Sequence, residues 1–177
     1  MLPPPFMRRS LPVLILTLMM SVAGSAHAQG QQGCVAPEYR QFDFWAGSWS
    51  VTNPAGKVVG TNRIEGILGG CVLQEHWRSA NGGDGTSLNM WNAADSTWRQ
   101  VWMDAGGNLL ELKGKLIGKE MVLSGTRPTP GQGGGLTTDR VTWTPQPNGT
   151  VRQLWESSTD GGTTWTTAFD GTYAREP

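Results

Sequence analysis

Histidine and cysteine are both scarce in this chain of 177 residues, which has two of each. A multi-histidine metal site or a Ser-His-Asp triad would therefore have to use His27 or His76. The sequence contains no glycine-rich phosphate loop and no histidine, cysteine and carboxylate cluster at metal-ligand spacing. We predict no metal site. His76 lies between Glu75 and Trp77, which we place on the inner face of a strand. Because side chains alternate along a strand, we interpret His76 as a residue of the outer surface.

Long hydrophobic runs are limited to Leu11–Val22, which is short for a bilayer span. The pair Arg8-Arg9 precedes this run, and Ala26–Ala28 follows it as a small-x-small cleavage site. We interpret Met1–Ala28 as a cleavable secretory signal peptide, with an N-terminal membrane anchor as the alternative. The mature protein would begin at Gln29 and be periplasmic or secreted in a bacterium, without stable insertion into a membrane.

An excess of basic charge is absent as well. The 14 lysines and arginines balance the 14 aspartates and glutamates, and removal of residues 1–28 takes away two arginines and no acid. A nucleic-acid-binding domain carries a basic patch or stripe, so we expect no nucleic-acid partner. The same removal takes away His27 and leaves His76 as the histidine of the mature chain.

The two cysteines, Cys34 and Cys71, predict one disulfide in an oxidising compartment. The bond would tie an N-terminal segment, residues 29–41, to the following domain. Closing a loop of about 38 residues contributes roughly 3–4 kcal/mol in the chain-entropy description. The alternative, a redox pair, requires closer spacing or a reactive environment.

The 25 glycines separate short runs in which apolar and other residues alternate. In no stretch do apolar residues recur with the 3.6-residue period of a helix. This spacing of turn signals is typical of an all-β sandwich or barrel. We predict ten strands: Phe44–Thr52, Val59–Ile67, Cys71–Ser79, Thr86–Asn92, Thr97–Asp104, Asn108–Leu116, Glu120–Thr126, Asp139–Thr144, Val151–Ser157 and Thr164–Ala174. Tight turns such as Asn148-Gly149 join neighbouring strands. An antiparallel up-and-down meander over residues 42–175 would close into a barrel to remove its edges.

Charged residues mark the outer face of several strands, and alternation then gives the inner face. This rule directs most of the nine tryptophans inward, together with Glu75, Gln100 and Gln153, which are unusual in a pure core. Besides the candidates below, the predicted inner face contains Trp45, Trp49, Ile64, Leu73, Leu110, Leu112, Met121, Leu123, Trp143, Val151, Trp165 and Phe169. In Thr86–Asn92 the pattern leaves both faces open.

A ten-stranded barrel has more room than an eight-stranded one, which holds at most a small ligand. We therefore predict a tryptophan-lined cavity, with a filled aromatic core as the alternative. The candidate ligand-binding residues are Glu75, Trp77, Trp98, Gln100, Trp102, Arg140, Gln153 and Trp155. Burial of Glu75 away from Arg140 would raise the pKa of its carboxyl group, so Glu75 is also the candidate catalytic acid or base.

Three motifs add structural expectations. Gly47-Ser48-Trp49 is the Gly-x-Trp pattern that bends the first strand of lipocalin-like barrels and plugs their floor. The segments Arg99–Trp102 and Arg152–Trp155 share the order Arg-Gln-apolar-Trp, which is either a coincidence or a repeated ligand-facing pair. Ser158–Trp165 matches an Asp-box, which we interpret as a hairpin turn because one copy cannot form a propeller.

Several segments together resemble an exported bacterial family of unknown function whose fold is related to the lipocalin-like, nitrobindin-type barrels. These are Phe42–Trp49, Cys71–Trp77, Trp98–Asp104, Arg140–Pro145 and Val151–Tyr173. The resemblance implies a ten-stranded antiparallel barrel and supplies no activity. Nitrobindin-type barrels bind haem through a histidine near the C-terminus, and Phe169–Pro177 contains none. No ligand residue carries over, and we predict no cofactor.

These observations favour an exported barrel that binds a small, partly apolar molecule. An enzyme that uses Glu75 as acid or base is the first rival. A structural or interaction module of the cell envelope with a filled barrel is the second. The sequence indicates neither the ligand nor an oligomeric state.

Overall fold

The computed structural model describes Met1 and residues 34–129, 131 and 133–176, so the predicted signal peptide, apart from Met1, lies outside the described residues. Ten antiparallel strands close into one barrel. They are β1 (Gly47–Thr52), β2 (Val58–Ile67), β3 (Val72–Ser79), β4 (Gly85–Asn92), β5 (Thr97–Asp104), β6 (Leu109–Ile117), β7 (Glu120–Pro128), β8 (Leu136–Pro145), β9 (Val151–Ser158) and β10 (Thr166–Arg175). Each strand pairs with its sequence neighbours, and β1 pairs with β10. The prediction of an all-β, lipocalin-like, up-and-down barrel is confirmed.

Alternation along the strands separates a buried inner face from an exposed outer face. In β8, for example, Thr137, Asp139, Val141 and Trp143 are buried while the residues between them are partly exposed. The inner positions predicted for Leu73, Leu110 and Leu112 and for Met121 and Leu123 are confirmed by their burial. Charged residues at the alternate positions were sufficient to orient these strands, because an unpaired charge inside the barrel would be costly.

A group of aromatic residues plugs one end of the barrel. Two short 3₁₀-helices, Pro37–Arg40 and Asp43–Trp45, precede β1. Phe42, between them, stacks on Trp45 with ring centroids 5.0 Å apart and presents an edge contact to Trp98 at 5.6 Å and to Trp143 at 5.1 Å. All four side chains are buried. We call this end the plugged end, and it leaves no room for a ligand among these rings.

The Gly-x-Trp segment fixes the start of β1 to the end of β10. Trp49 is fully buried and donates from its ring nitrogen to the carbonyl of Trp45 at 2.9 Å. The Arg175 guanidinium lies 4.4 Å from the Trp49 ring and donates to the carbonyl of Ala46. Gly47 has φ = 139°, and a Cβ there would collide with Arg175. The positive φ is what favours glycine here, because residues with a Cβ rarely adopt this conformation.

The predicted disulfide is present between Cys34 and Cys71, with Cα atoms 4.9 Å apart. Cys71 follows a short 3₁₀-turn, Leu68–Gly70, that connects β2 to β3. The bond therefore holds the segment that enters the plug against the barrel. Arg40 adds a second connection, since its guanidinium donates to the carbonyl of Gly70.

Trp165 is a corrected prediction, because it lies outside the barrel wall rather than inside. β10 begins one residue later, at Thr166, and a bulge interrupts its pairing with β9 between Thr167 and Phe169. A bulge inserts one extra residue, so simple alternation carried back from Phe169 assigns the wrong face to everything before it. The Trp165 ring instead packs against the outward Arg140 guanidinium, 4.0 Å away.

Two further local expectations are corrected or settled. The first strand was predicted from Phe44, but Asp43–Trp45 form a 3₁₀-helix and the strand begins at Gly47. In β4, the polar residues Ser87 and Asn89 point inward and are fully buried, whereas Leu88 and Met90 are 45% and 44% exposed outside. The pattern left this strand undecided, and the polar face forms the interior.

Candidate functional site

An interior cavity of about 210 Å³ lies toward the end of the barrel opposite the plug. Its wall contains six of the eight candidate ligand-binding residues. The lining consists of Glu75, Trp77, Gly83, Gln100, Trp102, Leu110, Val141, Gln153, Trp155, Ala168, Phe169 and Tyr173. Such a mixture of aromatic and aliphatic side chains with a few polar groups is typical of small-molecule sites. The volume restricts the occupant to a small molecule.

Aromatic rings form much of the cavity wall and contact one another in two pairs. Trp102 meets Trp155 in an edge-to-face contact with centroids 6.1 Å apart, and Trp77 meets Phe169 at 6.0 Å. The first contact joins the two Arg-Gln-apolar-Trp segments. Their glutamines, Gln100 and Gln153, border the same cavity, which favours the repeated ligand-facing pair over coincidence.

Glycines on neighbouring strands make room for these rings. A Cβ at Gly60 would lie 2.5 Å from the Trp77 ring, one at Gly85 would lie 2.9 Å from the Trp102 ring, and one at Gly171 would lie 2.6 Å from the Phe169 ring. Each ring thus rests where a side chain is missing. The shape of the cavity depends on these absent methyl groups as much as on the aromatic residues.

A network of buried polar groups surrounds Glu75, and two of its members, Glu75 and Gln100, border the cavity. Asn62 Nδ2 donates to Glu75 Oε1 at 2.7 Å, and Ser87 Oγ donates to Glu75 Oε2 at 2.6 Å. Asn89 donates to Ser87 Oγ at 2.9 Å, and Gln100 donates to Asn89 Oδ1 at 2.8 Å. We call these five residues the polar arc. The arc fixes the rotamers of Glu75 and Gln100 through hydrogen bonds.

Tyr173 and Gln153 extend the arc across the barrel. The Tyr173 hydroxyl donates to Gln153 Oε1 and lies 3.4 Å from Asn62 Nδ2. Asn62 Oδ1 is buried and has no hydrogen-bond partner among the described residues. Gln100 Oε1 and Gln153 Nε2 likewise receive no protein partner in the described part of the chain, so both glutamines retain a free polar atom at the cavity.

Burial perturbs the two ionisable groups of this network. Desolvation raises the pKa of the Glu75 carboxyl group, while hydrogen bonds from Ser87 and Asn62 lower it by less. Desolvation and the neighbouring Glu75 raise the pKa of the Tyr173 phenol well above its usual 10.0. Tyr173 is therefore neutral at physiological pH and acts as a hydrogen-bond donor. The Glu75 carboxylate therefore takes up a proton at a pH closer to neutrality than an exposed glutamate does.

A buried ion pair holds Trp155 at the cavity. Asp139 is fully buried on the inner face and accepts hydrogen bonds from Trp155 Nε1 at 2.8 Å and from Ser157 Oγ at 2.6 Å. Arg127 Nε donates to the other oxygen at 2.7 Å and compensates its charge. Arg127 also borders a second concavity, of about 270 Å³, that shares Trp102 and Trp155 with the first.

The remaining two candidates and His76 lie elsewhere. Trp98 points inward as predicted, but it belongs to the plug, where its ring nitrogen donates to Gln41 Oε1 at 3.1 Å. Arg140 lies on the outer face and pairs with Glu156 at 2.9 Å. His76 also faces outward, 3.1 Å from Glu65.

Sequence reasoning missed several residues of the network, namely Asn62, Ser87, Asn89, Asp139 and Tyr173. A signal existed for three of them. Asn62 is two residues before the inward Ile64, and Asp139 is four residues before the inward Trp143, so both share the inner face by alternation. Tyr173, four residues after the inward Phe169, follows the same rule. Ser87 and Asn89 were among the open possibilities for β4.

A larger, open concavity of about 840 Å³ lies on the outer surface beside β5, β6 and β7. It arises where Gly114 and Gly125 bring backbones into close approach, since a Cβ at either position would collide with a neighbouring carbonyl. Charged and polar side chains form most of its lining, and none of its described lining residues is aromatic, although Gln100 of the polar arc borders it too. The interior cavity, whose wall contains aromatic rings, is therefore the better candidate site.

The Asp-box segment forms a hairpin turn between β9 and β10, as predicted. Asp160 accepts hydrogen bonds from the amides of Thr163 and Thr164 and from the hydroxyls of Ser158 and Thr164. These donors hold the pKa of the Asp160 carboxyl group far below its usual range. Its carboxylate is occupied by the turn.

No protein-family model matches the chain, and no curated protein matches it. Within the described residues, no three histidine, cysteine, aspartate or glutamate side chains are grouped so that they could hold a metal ion. Among the helices of the described segments, none is long and apolar enough to cross a membrane.

Proposed function

We propose that this protein binds a small, partly apolar molecule in the interior cavity bordered by Trp77, Trp102 and Trp155. The observation that carries the proposal is a cavity of about 210 Å³ whose wall combines aromatic rings with members of an ordered polar network. Close packing is the rule in protein interiors, and apolar voids of this size lose contacts and stability. A retained cavity with positioned polar groups supports a ligand-binding role over a filled structural barrel.

We further propose that the protein is exported through residues 1–28 and acts in the periplasm or outside the cell. The Cys34–Cys71 disulfide supports this location, because such bonds persist in oxidising compartments. The disulfide also joins the plug to the barrel, which suits a protein that must hold its fold without cytoplasmic chaperones.

Native mass spectrometry of protein isolated from its own cells tests the binding proposal, followed by titration of tryptophan fluorescence with a library of small lipids, aromatics and amines. We expect a bound mass or a saturable change in fluorescence. Trp102→Leu should weaken binding about tenfold or more, because it removes one wall of the cavity. Gln153→Ala should weaken binding by removing a polar contact.

Trp165→Leu is the matched control, since Trp165 is also a partly buried tryptophan but packs on the outer face against Arg140. It should leave the affinity within about twofold of the original. The proposal is wrong if no bound mass is found and no compound in the library changes the fluorescence. It is equally wrong if Trp165→Leu weakens binding as much as Trp102→Leu.

A further inference from the structure

We propose that the ligand is a small organic cation, a quaternary ammonium or a protonated amine on a compact apolar body, held between the aromatic walls and Glu75. This inference rests on the proposed function and adds the chemical class of the ligand. It follows from the balance of charge, acceptors and aromatic rings around the cavity.

The charge balance of the cavity is negative when Glu75 is ionised. Glu75 takes part in none of the ion pairs found among the described residues, and its two hydrogen bonds come from the neutral donors Asn62 and Ser87. Arg127, which borders the neighbouring concavity, is paired with the buried Asp139. A buried carboxylate that is not paired with a cation is costly, so a positively charged ligand would offset that cost.

The carboxylate keeps unused accepting capacity. An ionised carboxylate offers about four acceptor positions, and two of those on Glu75 are filled. Gln100 Oε1 adds an acceptor that receives no donor from the described residues. One free donor, Gln153 Nε2, belongs to a residue that borders the same cavity. Acceptors outnumber donors at this wall, which favours a ligand that brings positive charge or donor groups.

The aromatic walls suit the same class of ligand. A cation within about 6 Å of an aromatic centroid is attracted by the negative face of the ring, most strongly by tryptophan. Trp77, Trp102 and Trp155 border the cavity together with Phe169 and Tyr173. A volume of about 210 Å³ keeps any occupant against these rings. Several rings with one carboxylate form the kind of cage that recognises quaternary ammonium groups.

The test compares choline with 3,3-dimethylbutan-1-ol, its uncharged carbon isostere, by isothermal titration calorimetry and tryptophan fluorescence on the full mature chain. Because the two probes have nearly the same shape, the ratio of their affinities measures the contribution of charge. We expect choline to bind about tenfold or more tightly than the alcohol. Tetramethylammonium, which lacks the hydroxyl, should retain most of the preference.

Two variants separate the carboxylate from the rings. Glu75→Gln should lower choline affinity about tenfold or more and leave the alcohol within about twofold. Asn62 can turn its amide to pair its orphaned oxygen with the new glutamine, so we expect the variant to fold. Trp102→Leu should reduce choline affinity more than alcohol affinity, since leucine keeps an apolar wall and removes a ring. Trp165→Leu is again the control.

If the alcohol binds as tightly as choline or more tightly, the proposal of a cationic ligand is wrong, but the proposed binding function is unaffected. The proposal of a cationic ligand is also wrong if choline does not bind while a neutral library compound does. Failure of every cation, alcohol and library compound overturns both proposals. If Glu75→Gln does not fold, Trp102→Leu and the choline-to-alcohol ratio of the unsubstituted protein still decide the outcome.

Discussion

Burial of Glu75 separates the pKa of its carboxyl group in the folded barrel from that in the unfolded chain. The unfolded value is near the ordinary 4.5, and desolvation raises the folded value. Asn62 and Ser87 face the carboxylate as neutral donors, Tyr173 adds a neutral phenol, and His76 lies on the outer face of the same strand. A raised folded pKa contributes stability that is complete below the unfolded pKa and is lost as pH rises through the folded pKa.

Glu75→Gln should therefore remove a pH-dependent loss of stability. We expect the free energy of unfolding of the original protein to fall, relative to the variant, as pH rises from about 4.5 through the raised pKa. The relative loss is about 1.4 kcal/mol for each unit that separates the two pKa values. Urea unfolding of both proteins across this pH range measures it. Parallel pH profiles would show that Glu75 keeps an unperturbed pKa.

The glycines beside the aromatic walls give a second prediction at single residues. Gly171→Ala adds a Cβ 2.6 Å from the Phe169 ring and 3.0 Å from Val51. The phenyl ring has to move, so the cavity changes shape. We expect a stability cost of about 1–3 kcal/mol from overpacking and a drop in choline affinity of about tenfold.

Gly133→Ala is the matched control for that substitution, because nothing lies within 4 Å of a Cβ at Gly133. Unfolding curves and calorimetric titrations of both variants provide the comparison. Equal affinity of Gly171→Ala and the original protein would mean that Phe169 does not shape the site.

At the scale of elements, the disulfide holds the segment before β1 to the turn between β2 and β3. Replacing both Cys34 and Cys71 by serine should lower the free energy of unfolding by about 3–4 kcal/mol, since the unfolded chain gains the freedom of a long loop. Urea unfolding under oxidising conditions measures the loss. A reductant should reproduce it in the original protein and have no effect on the double variant. A change below about 1 kcal/mol would contradict the loop-entropy account.

The strands were largely predictable from the sequence because outer-face charges and turn glycines recur along the whole barrel. Arg99, Arg152 and Glu111 each mark an outer face, and the neighbouring inward residues follow by alternation. This reasoning brought six of eight candidate residues to one cavity. The faces of β4 were not predictable from the sequence. Ser87 and Asn89 face inward because they form hydrogen bonds with Glu75 and Gln100. Leu88 and Met90, which alternation alone would equally allow inside, therefore face outward.

Other parts of the site were beyond a rule based on alternation. Alternation gives the face of a strand but not the height along the barrel axis, so Trp98 was placed at the cavity although it belongs to the plug. A bulge resets alternation without leaving a clear signature in the sequence, which is why Trp165 was placed inside. Arg140 follows the same outer face as Trp165, and its outward partner Glu156 became evident only from the pairing of β8 with β9.

For the whole molecule, the barrel divides its interior between a packed half and a hollow half. Phe42, Trp45 and Trp143 fill the plugged end, while Trp102 and Trp155 surround the cavity at the other. Stability and binding should therefore respond to different substitutions. The packed end can stabilise the fold while the other end retains a cavity.

Phe42→Ala tests this division. Removing a fully buried phenylalanine from the plug should lower the free energy of unfolding by about 3–5 kcal/mol. Choline affinity of the folded fraction should stay within about twofold. Thermal unfolding and calorimetric titration of the same preparation measure both quantities. A parallel loss of affinity would show that the plug shapes the cavity.

The polar inner face of β4 affects the register in which this strand pairs with its neighbours. Sliding β4 by one residue would bury Leu88 and Met90 and send Ser87 and Asn89 to solvent, which the hydrophobic effect alone would favour. Such a slip would cost Glu75 its hydrogen bond from Ser87 and Gln100 its hydrogen bond to Asn89, which opposes the slip. The polar groups around the cavity therefore also stabilise the native register of β4 relative to the shifted one.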